Sequence, residues 1–283
     1  MASQKFERVT FDNGNVRLVG HLFKPAAGVG PGVVVTGSWT TVKEQMADHY
    51  AAKLAEQGLT ALTFDFTHYG ESGGDIREFE NPLEKVKDIS AAARWLSGIL
   101  GEPVGGLAIC ASAGYMSYAI AEGAPIAAFA SVAAWLHNPE TVATVYGGAE
   151  GVRQRTQDGE AARKLYQDTG VVHHVPAYSA TDPKAGMGTA VGDYYSNPAT
   201  GAVPEWSNRL AVLSWPEWLG YDGSARAKEV EIPTLMIHSE DAAFPENVRR
   251  FTGMLAGPHE LLWRKGTQTD FYYRPEQGAA RIS

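Results

Sequence analysis

The chain has 283 residues, 44% of them hydrophobic and 20% charged, enough to bury one sizeable core and form a single large α/β domain. Its formal charge of −8 comes with no clustered basic face, which excludes nucleic acid as a partner. A single cysteine, Cys110, excludes an intrachain disulfide framework and a cysteine-based metal cluster. The first residues carry no apolar run, and no stretch reaches the length of a membrane span. A cytoplasmic protein without a membrane partner is therefore expected.

Residues 6 to 23 alternate apolar and polar around Asp12-Asn13-Gly14-Asn15 and predict an antiparallel hairpin. The β-branched run Gly32-Val33-Val34-Val35-Thr36-Gly37 predicts a strand covered on both faces. Helical spacing over Met46 to Gly58 leads into Leu59 to Asp65, giving a β-α-β unit. The alternation continues with a helix over Glu84 to Leu96, a strand over Gly106 to Cys110, a helix over Tyr115 to Ala121 and a strand over Ile126 to Val132. Alternation of this kind predicts a mostly parallel, doubly wound sheet.

The pattern breaks between about His137 and Ala227, a segment rich in Tyr, Trp, Gly and Pro. This segment reads as a cap inserted over the carboxyl edge of the sheet, between its sixth and seventh strands. Its aromatics either wall an apolar pocket or form the segment's own small core. Alternation then resumes with Pro233 to His238, a helix from Pro245 to Leu255, the strand Glu260 to Arg264 and a last helical stretch.

The chemistry concentrates at Leu107-Ala108-Ile109-Cys110-Ala111-Ser112-Ala113-Gly114-Tyr115, which reads as a strand running into a tight turn and a helix, with Ser112 at the apex. A nucleophile elbow needs small neighbours because its backbone is strained, and Ala111, Ala113 and Gly114 supply them. Cys110 stands where the Gly-x-Ser-x-Gly pattern has its first glycine. On the strand, it is expected to point into the core as a small buried hydrophobe. Gly70-Glu71-Ser72-Gly73-Gly74 lacks dinucleotide-fingerprint spacing, and no His/Asp/Glu grouping has convincing metal spacing. No cofactor and no metal are expected.

Taken with Val42-Lys43-Glu44-Gln45, Phe64-Asp65, Tyr69-Gly70-Glu71-Ser72-Gly73-Gly74, His238-Ser239-Glu240-Asp241 and Asp270-Phe271-Tyr272, the elbow resembles the α/β-hydrolases. More narrowly, these stretches resemble bacterial hydrolases related to dienelactone hydrolase, short-chain esterases and acyl-peptidase-like enzymes. The resemblance implies an α/β-hydrolase fold with an inserted cap and a serine hydrolase of a small carboxylic ester, lactone or related acyl compound. It places Ser112 as nucleophile and Asp241 as the acid. It also implies an oxyanion hole from the backbone N–H groups of Ala113 and Trp39. Ser38, Tyr115, Trp135 and Trp215 are expected to line the substrate pocket. A small-molecule substrate is the expected partner, and a homodimer is compatible with the sequence.

The sequence departs from the family at the base: Gln268 stands two residues before Asp270-Phe271-Tyr272, where the resemblance puts a histidine. A glutamine amide accepts no proton near neutral pH. Three explanations stay open. Another histidine supplies the base, with His68 and His137 the candidates, since each follows a strand toward the carboxyl edge. The position was altered to trap a substrate or intermediate. Or the fold serves non-hydrolytic chemistry, such as a lyase, cyclase or isomerase step, or binds a ligand without reacting.

Overall fold

The computed structural model describes residues 6–188 and 191–272. Strands β1 (Phe6–Asn13) and β2 (Val16–Phe23) form the predicted hairpin, turned by Gly14 at φ 58°. Next come β3 (Gly32–Thr36), α1 (Met46–Glu56), β4 (Thr60–Phe64) and α2 (Pro82–Leu100). Helix α2 is longer than its periodicity suggests. Asn81 caps its start by accepting from the N–H groups of Leu83 and Glu84, and Gly101 at φ 78° ends it.

Strand β5 (Val104–Ile109) leads into α3 (Ser112–Ala121), and β6 (Ile126–Val132) follows. The inserted segment holds α4 (Gly148–Thr169), the two-stranded pair β7 (His174–Pro176) and β8 (Arg209–Ala211), and α5 (Trp215–Gly220). The chain then returns through β9 (Thr234–His238), α6 (Pro245–Met254) and β10 (His259–Trp263). Most of the last expected helix lies outside the described residues; what is described is a short 3-10 turn, Gln268–Phe271.

The main sheet has eight strands in the order β1-β2-β4-β3-β5-β6-β9-β10. The β1–β2 and β2–β4 pairs are antiparallel, and from β4 onward all pairs are parallel. Strand β5 therefore lies at the centre, between β3 and β6, and its carboxyl end opens between two crossover loops. Helices α1, α2, α3 and α6 pack against this sheet, and the buried faces of α1 and α2 are rich in alanine, so these two approach it closely. Helix α3 is as close to the segment after α5: a Cβ at Gly114 would meet the Tyr221 hydroxyl at 2.8 Å and Gly223 at 3.0 Å.

The inserted segment docks on the loop after β3 through aromatic contacts. The Trp39 ring stacks on Trp218 with centroids 4.8 Å apart, and Trp218 Nε1 donates to the Tyr146 hydroxyl at 2.9 Å. Trp206 Nε1 donates to the Thr40 carbonyl at 2.7 Å, and the Tyr195 hydroxyl lies 3.3 Å from Ser38 Oγ. Among the described residues, no helix is long and apolar enough to cross a membrane.

Candidate functional site

Strand β5 stops one residue earlier than the sequence pattern implies: the Cys110 N–H makes a last ladder bond to the Val132 carbonyl, and the chain turns at Cys110 itself. Cys110 takes φ 63°, the left-handed region that a non-glycine residue adopts only when its surroundings hold it. Ala111 is already helical at φ −61°, and α3 starts at Ser112. The strained apex of the turn is thus Cys110 and not Ser112. The small residues that the turn needs two places to either side are Ala108 and Ser112.

Ser112 is fully buried, and its hydroxyl is consumed locally: it donates to the carbonyls of Thr36 and Ile109 and accepts the Ile109 N–H at 3.1 Å. The expectation of a reactive serine fails on this geometry. Ala113 fails as an oxyanion donor for the same reason, since its N–H bonds to the Cys110 carbonyl at 3.2 Å.

Around Cys110 Sγ four groups converge. The hydroxyls of Ser38 and Tyr272 and the backbone N–H groups of Ala111 and Trp39 lie near enough to favour its thiolate form. Burial pushes the thiol pKa up, and these four contacts pull back against that rise. With the apex at Cys110, the residue that follows it is Ala111, two places before the expected Ala113, and Trp39 lies in the loop after β3.

Gln268 lies behind the Tyr272 hydroxyl. Its amide nitrogen donates to that hydroxyl at 3.1 Å and to the Ala133 carbonyl at 2.7 Å, while its oxygen accepts the Ala243 N–H at 2.9 Å. The Tyr272 hydroxyl in turn sits 3.3 Å from Ser38 Oγ. Burial raises the Tyr272 pKa well above the ordinary phenol value, so this hydroxyl stays protonated. Thiol, phenol and amide form one connected chain without an imidazole.

The histidine candidates are elsewhere. His68 Nε2 faces Glu84 at 2.8 Å. His137 is enclosed: its Nδ1 accepts from Trp135 Nε1 at 3.0 Å and its Nε2 faces the Trp218 carbonyl at 2.8 Å. Burial pushes the His137 pKa down to about 4, so the ring is neutral and both nitrogens are engaged. Neither residue is among the groups that touch Cys110. Asp241 is exposed on the loop before α6, and the carboxylate beside it, Glu240, is held by Arg249 at 2.5 Å.

Of the expected pocket residues, Ser38 touches the thiol, whereas Tyr115 is buried behind the elbow with its hydroxyl on Glu80 at 2.9 Å. Trp135 donates its N–H to the Cys110 carbonyl at 2.9 Å, and Trp215 backs Trp39 at 6.1 Å between ring centroids. The thiol itself was missed as an apex because strand length, which decides the reading frame of the elbow, is set by pairing with β6.

One group of described residues, His21, Glu44 and Glu71, brings possible metal-ligating atoms within 4.8 Å of one another. The Lys43 ammonium already bridges both carboxylates, at 2.6 Å to Glu44 and 3.0 Å to Glu71, and so supplies the positive charge there.

No protein-family model matches the chain. By sequence it is 35% identical to the uncharacterised protein YcjY of Escherichia coli over 41% of this chain and 42% of that protein, so it spans less than half of YcjY. The uncharacterised protein PA2218 of Pseudomonas aeruginosa is 28% identical over 96% of this chain and 77% of that protein. A thiohydrolase of Eupenicillium brefeldianum is 37% identical over 33% of this chain and 29% of that protein. Among solved structures, PA2218 superposes with a TM-score of 0.84 at 25% identity, covering 98% of this chain and 90% of that one. The α/β hydrolase GrgF of a Penicillium species gives 0.80 at 19% identity, covering 97% and 94%. The shared strand order, the elbow after the central strand and these superpositions establish that this chain has the α/β-hydrolase fold.

Proposed function

We propose that the protein is an acyl-transfer enzyme on the hydrolase fold that uses the Cys110 thiol, not the Ser112 hydroxyl, to take an acyl group from a small thioester or activated ester. The observation that carries this reading is the strained φ of 63° at Cys110, the residue that turns the chain at the carboxyl end of the central strand. Strain of that kind persists where the surroundings over-determine it, and here the N–H groups of Ala111 and Trp39 lie near the sulfur to serve as an oxyanion cradle.

In the step proposed, Sγ attacks the acyl carbonyl and a Cys110 thioester forms as the bond to the leaving thiolate breaks. The thiol proton passes to that leaving group, with the Tyr272 hydroxyl placed to relay it. A thiolate leaves readily, so this exchange asks less of a general base than the attack of a serine hydroxyl does. Burial of the thiol holds the thiolate fraction down, and the reaction quickens with rising pH.

Gln268 cannot deprotonate water. The acyl-enzyme is therefore long-lived towards hydrolysis and is passed to a better nucleophile, such as a second thiol or an amine. The related thiohydrolase and the hydrolase-fold neighbours support acyl chemistry of this class.

One observation favours a second reading, binding without reaction: Cys110 is only 3% exposed, and Trp39, Tyr195 and Tyr272 are buried as well. Incubation with acetyl-thiocholine, followed by intact mass and then by addition of free cysteamine, separates the two. Acyl transfer gives a single acetyl adduct that survives in buffer and is discharged by the added thiol. An unmodified protein would support binding alone.

A further inference from the structure

Glu80 lies on the loop before α2, fully buried, and its carboxylate joins four parts of the molecule. Oε2 accepts the Lys85 ammonium at 2.7 Å, the Tyr69 hydroxyl at 3.0 Å and the Thr40 N–H at 3.2 Å, and Oε1 accepts the Tyr115 hydroxyl at 2.9 Å. Its own N–H donates to Ser214 Oγ at 2.9 Å, just before α5. Tyr115 lies in α3, and Thr40 directly follows Trp39.

Thr40 takes φ 58°, which a β-branched residue adopts only under constraint. Three successive peptide units of this loop are tethered, each by a different side chain. Thr41 Oγ1 donates to the Ser38 carbonyl at 2.8 Å, in the peptide unit whose N–H is that of Trp39. Glu80 holds the next unit through the Thr40 N–H, and Trp206 Nε1 holds the third through the Thr40 carbonyl at 2.7 Å. Glu80 is the one charged tether, and a charged acceptor gives the stronger hydrogen bond. The Lys85 ammonium, packed 4.7 Å from the centre of the Phe66 ring and 4.6 Å from that of Tyr69, fixes the carboxylate in turn.

We propose that Glu80 is a positioning residue: its carboxylate holds the Thr40 peptide in the strained conformation that turns the Trp39 N–H towards Cys110 Sγ. The inference rests on the acyl-transfer reading of Cys110 and adds to it the group that keeps half of the oxyanion cradle in place. Without that tether Thr40 relaxes towards negative φ, and the Trp39 N–H leaves the sulfur.

Reach and charge can be separated by substitution. Glu80→Gln keeps a carbonyl oxygen for the Thr40 N–H and removes the charge. Glu80→Asp keeps the charge for Lys85 but falls a methylene short. Acetylation of Cys110 by p-nitrophenyl acetate, read as the nitrophenolate burst, is expected to slow about 10- to 100-fold in Glu80→Asp and distinctly less in Glu80→Gln, which gives up the charge but keeps an acceptor for the Thr40 N–H.

The pH profile of Cys110 alkylation by iodoacetamide gives a second readout that needs no acyl substrate. In Glu80→Asp its midpoint moves to higher pH, because an N–H donor to the thiolate is lost. Should Glu80→Asp not fold, the double variant E80M/K85M, which removes both buried charges together, takes its place with the same expectation. Wild-type acetylation and an unmoved alkylation midpoint in Glu80→Asp would overturn the proposal, as would equal losses of rate in Glu80→Asp and Glu80→Gln. A wild-type protein that takes no acetyl group would refute the acyl-transfer reading instead, and the alkylation midpoint would still decide the positioning.

Discussion

The amide nitrogen of Gln268 donates to the Tyr272 hydroxyl at 3.1 Å, and that hydroxyl touches Cys110 Sγ. The amide thus stands one hydroxyl away from the thiol, in the place where the resemblance puts an imidazole. Gln268→His is expected to shorten the lifetime of the acetyl-enzyme about 100-fold, because an imidazole accepts a proton from water. Hydrolysis in this variant should rise with pH through the ordinary imidazole range near 6.5, since only the neutral ring is a base. Loss of the adduct followed by mass at several pH values checks this. An unchanged lifetime at every pH would show that the site excludes water rather than lacking a base.

His137 makes stability depend on pH in one direction. Burial pushes its folded pKa down to about 4, against about 6.5 in an unfolded chain, so between those values the unfolded state binds more protons. The neutral ring thus contributes about 3 kcal/mol that is fully present above pH 6.5 and is lost as pH falls towards 4. Buried His238, pushed down to about 4 by the same cause, acts in the same direction. Urea unfolding at a series of pH values should show this slope, and His137→Phe should flatten it while losing the bonds to Trp135 and Trp218.

Lys43 is buried beside Asp65, whose side chain is equally inaccessible, with Nζ 2.7 Å from its carboxylate. Glu44 and Glu71 share the same ammonium. Lys43→Met leaves a buried carboxylate without its counter-charge, and a loss of about 3–5 kcal/mol is expected. The penalty should shrink as pH falls, because burial raises the Glu44 pKa and its protonation removes one of the charges left facing the site. Thermal melts of both proteins at pH 7.5 and 5.5 test this, and a variant as stable as wild type at pH 7.5 would contradict it.

The strand and helix order was legible because a central parallel sheet imposes unbroken β-branched runs, as at Gly32–Thr36, and helical spacing between them. The trace of Gln268 in the base's place was legible too, since the Asp270-Phe271-Tyr272 run fixes its register. The apex was not. Cys110 and Ser112 both have small neighbours, and the choice between them rests on where the pairing of β5 with the adjacent strand ends, at Ile109 opposite Val132. The four-way role of the Glu80 carboxylate was hidden for the same reason, because its partners lie at residues 40, 69, 85 and 115. Contacts between distant segments leave no periodicity in the chain.

The central claim is that the reactive atom is the sulfur of Cys110. Intact-mass analysis after incubation with acetyl-thiocholine, run on wild type, Cys110→Ala and Ser112→Ala, tests it most directly. One acetyl adduct is expected in wild type and in folded Ser112→Ala, and none in Cys110→Ala. An adduct that persists in Cys110→Ala and disappears in Ser112→Ala would contradict the claim and return the chemistry to the serine.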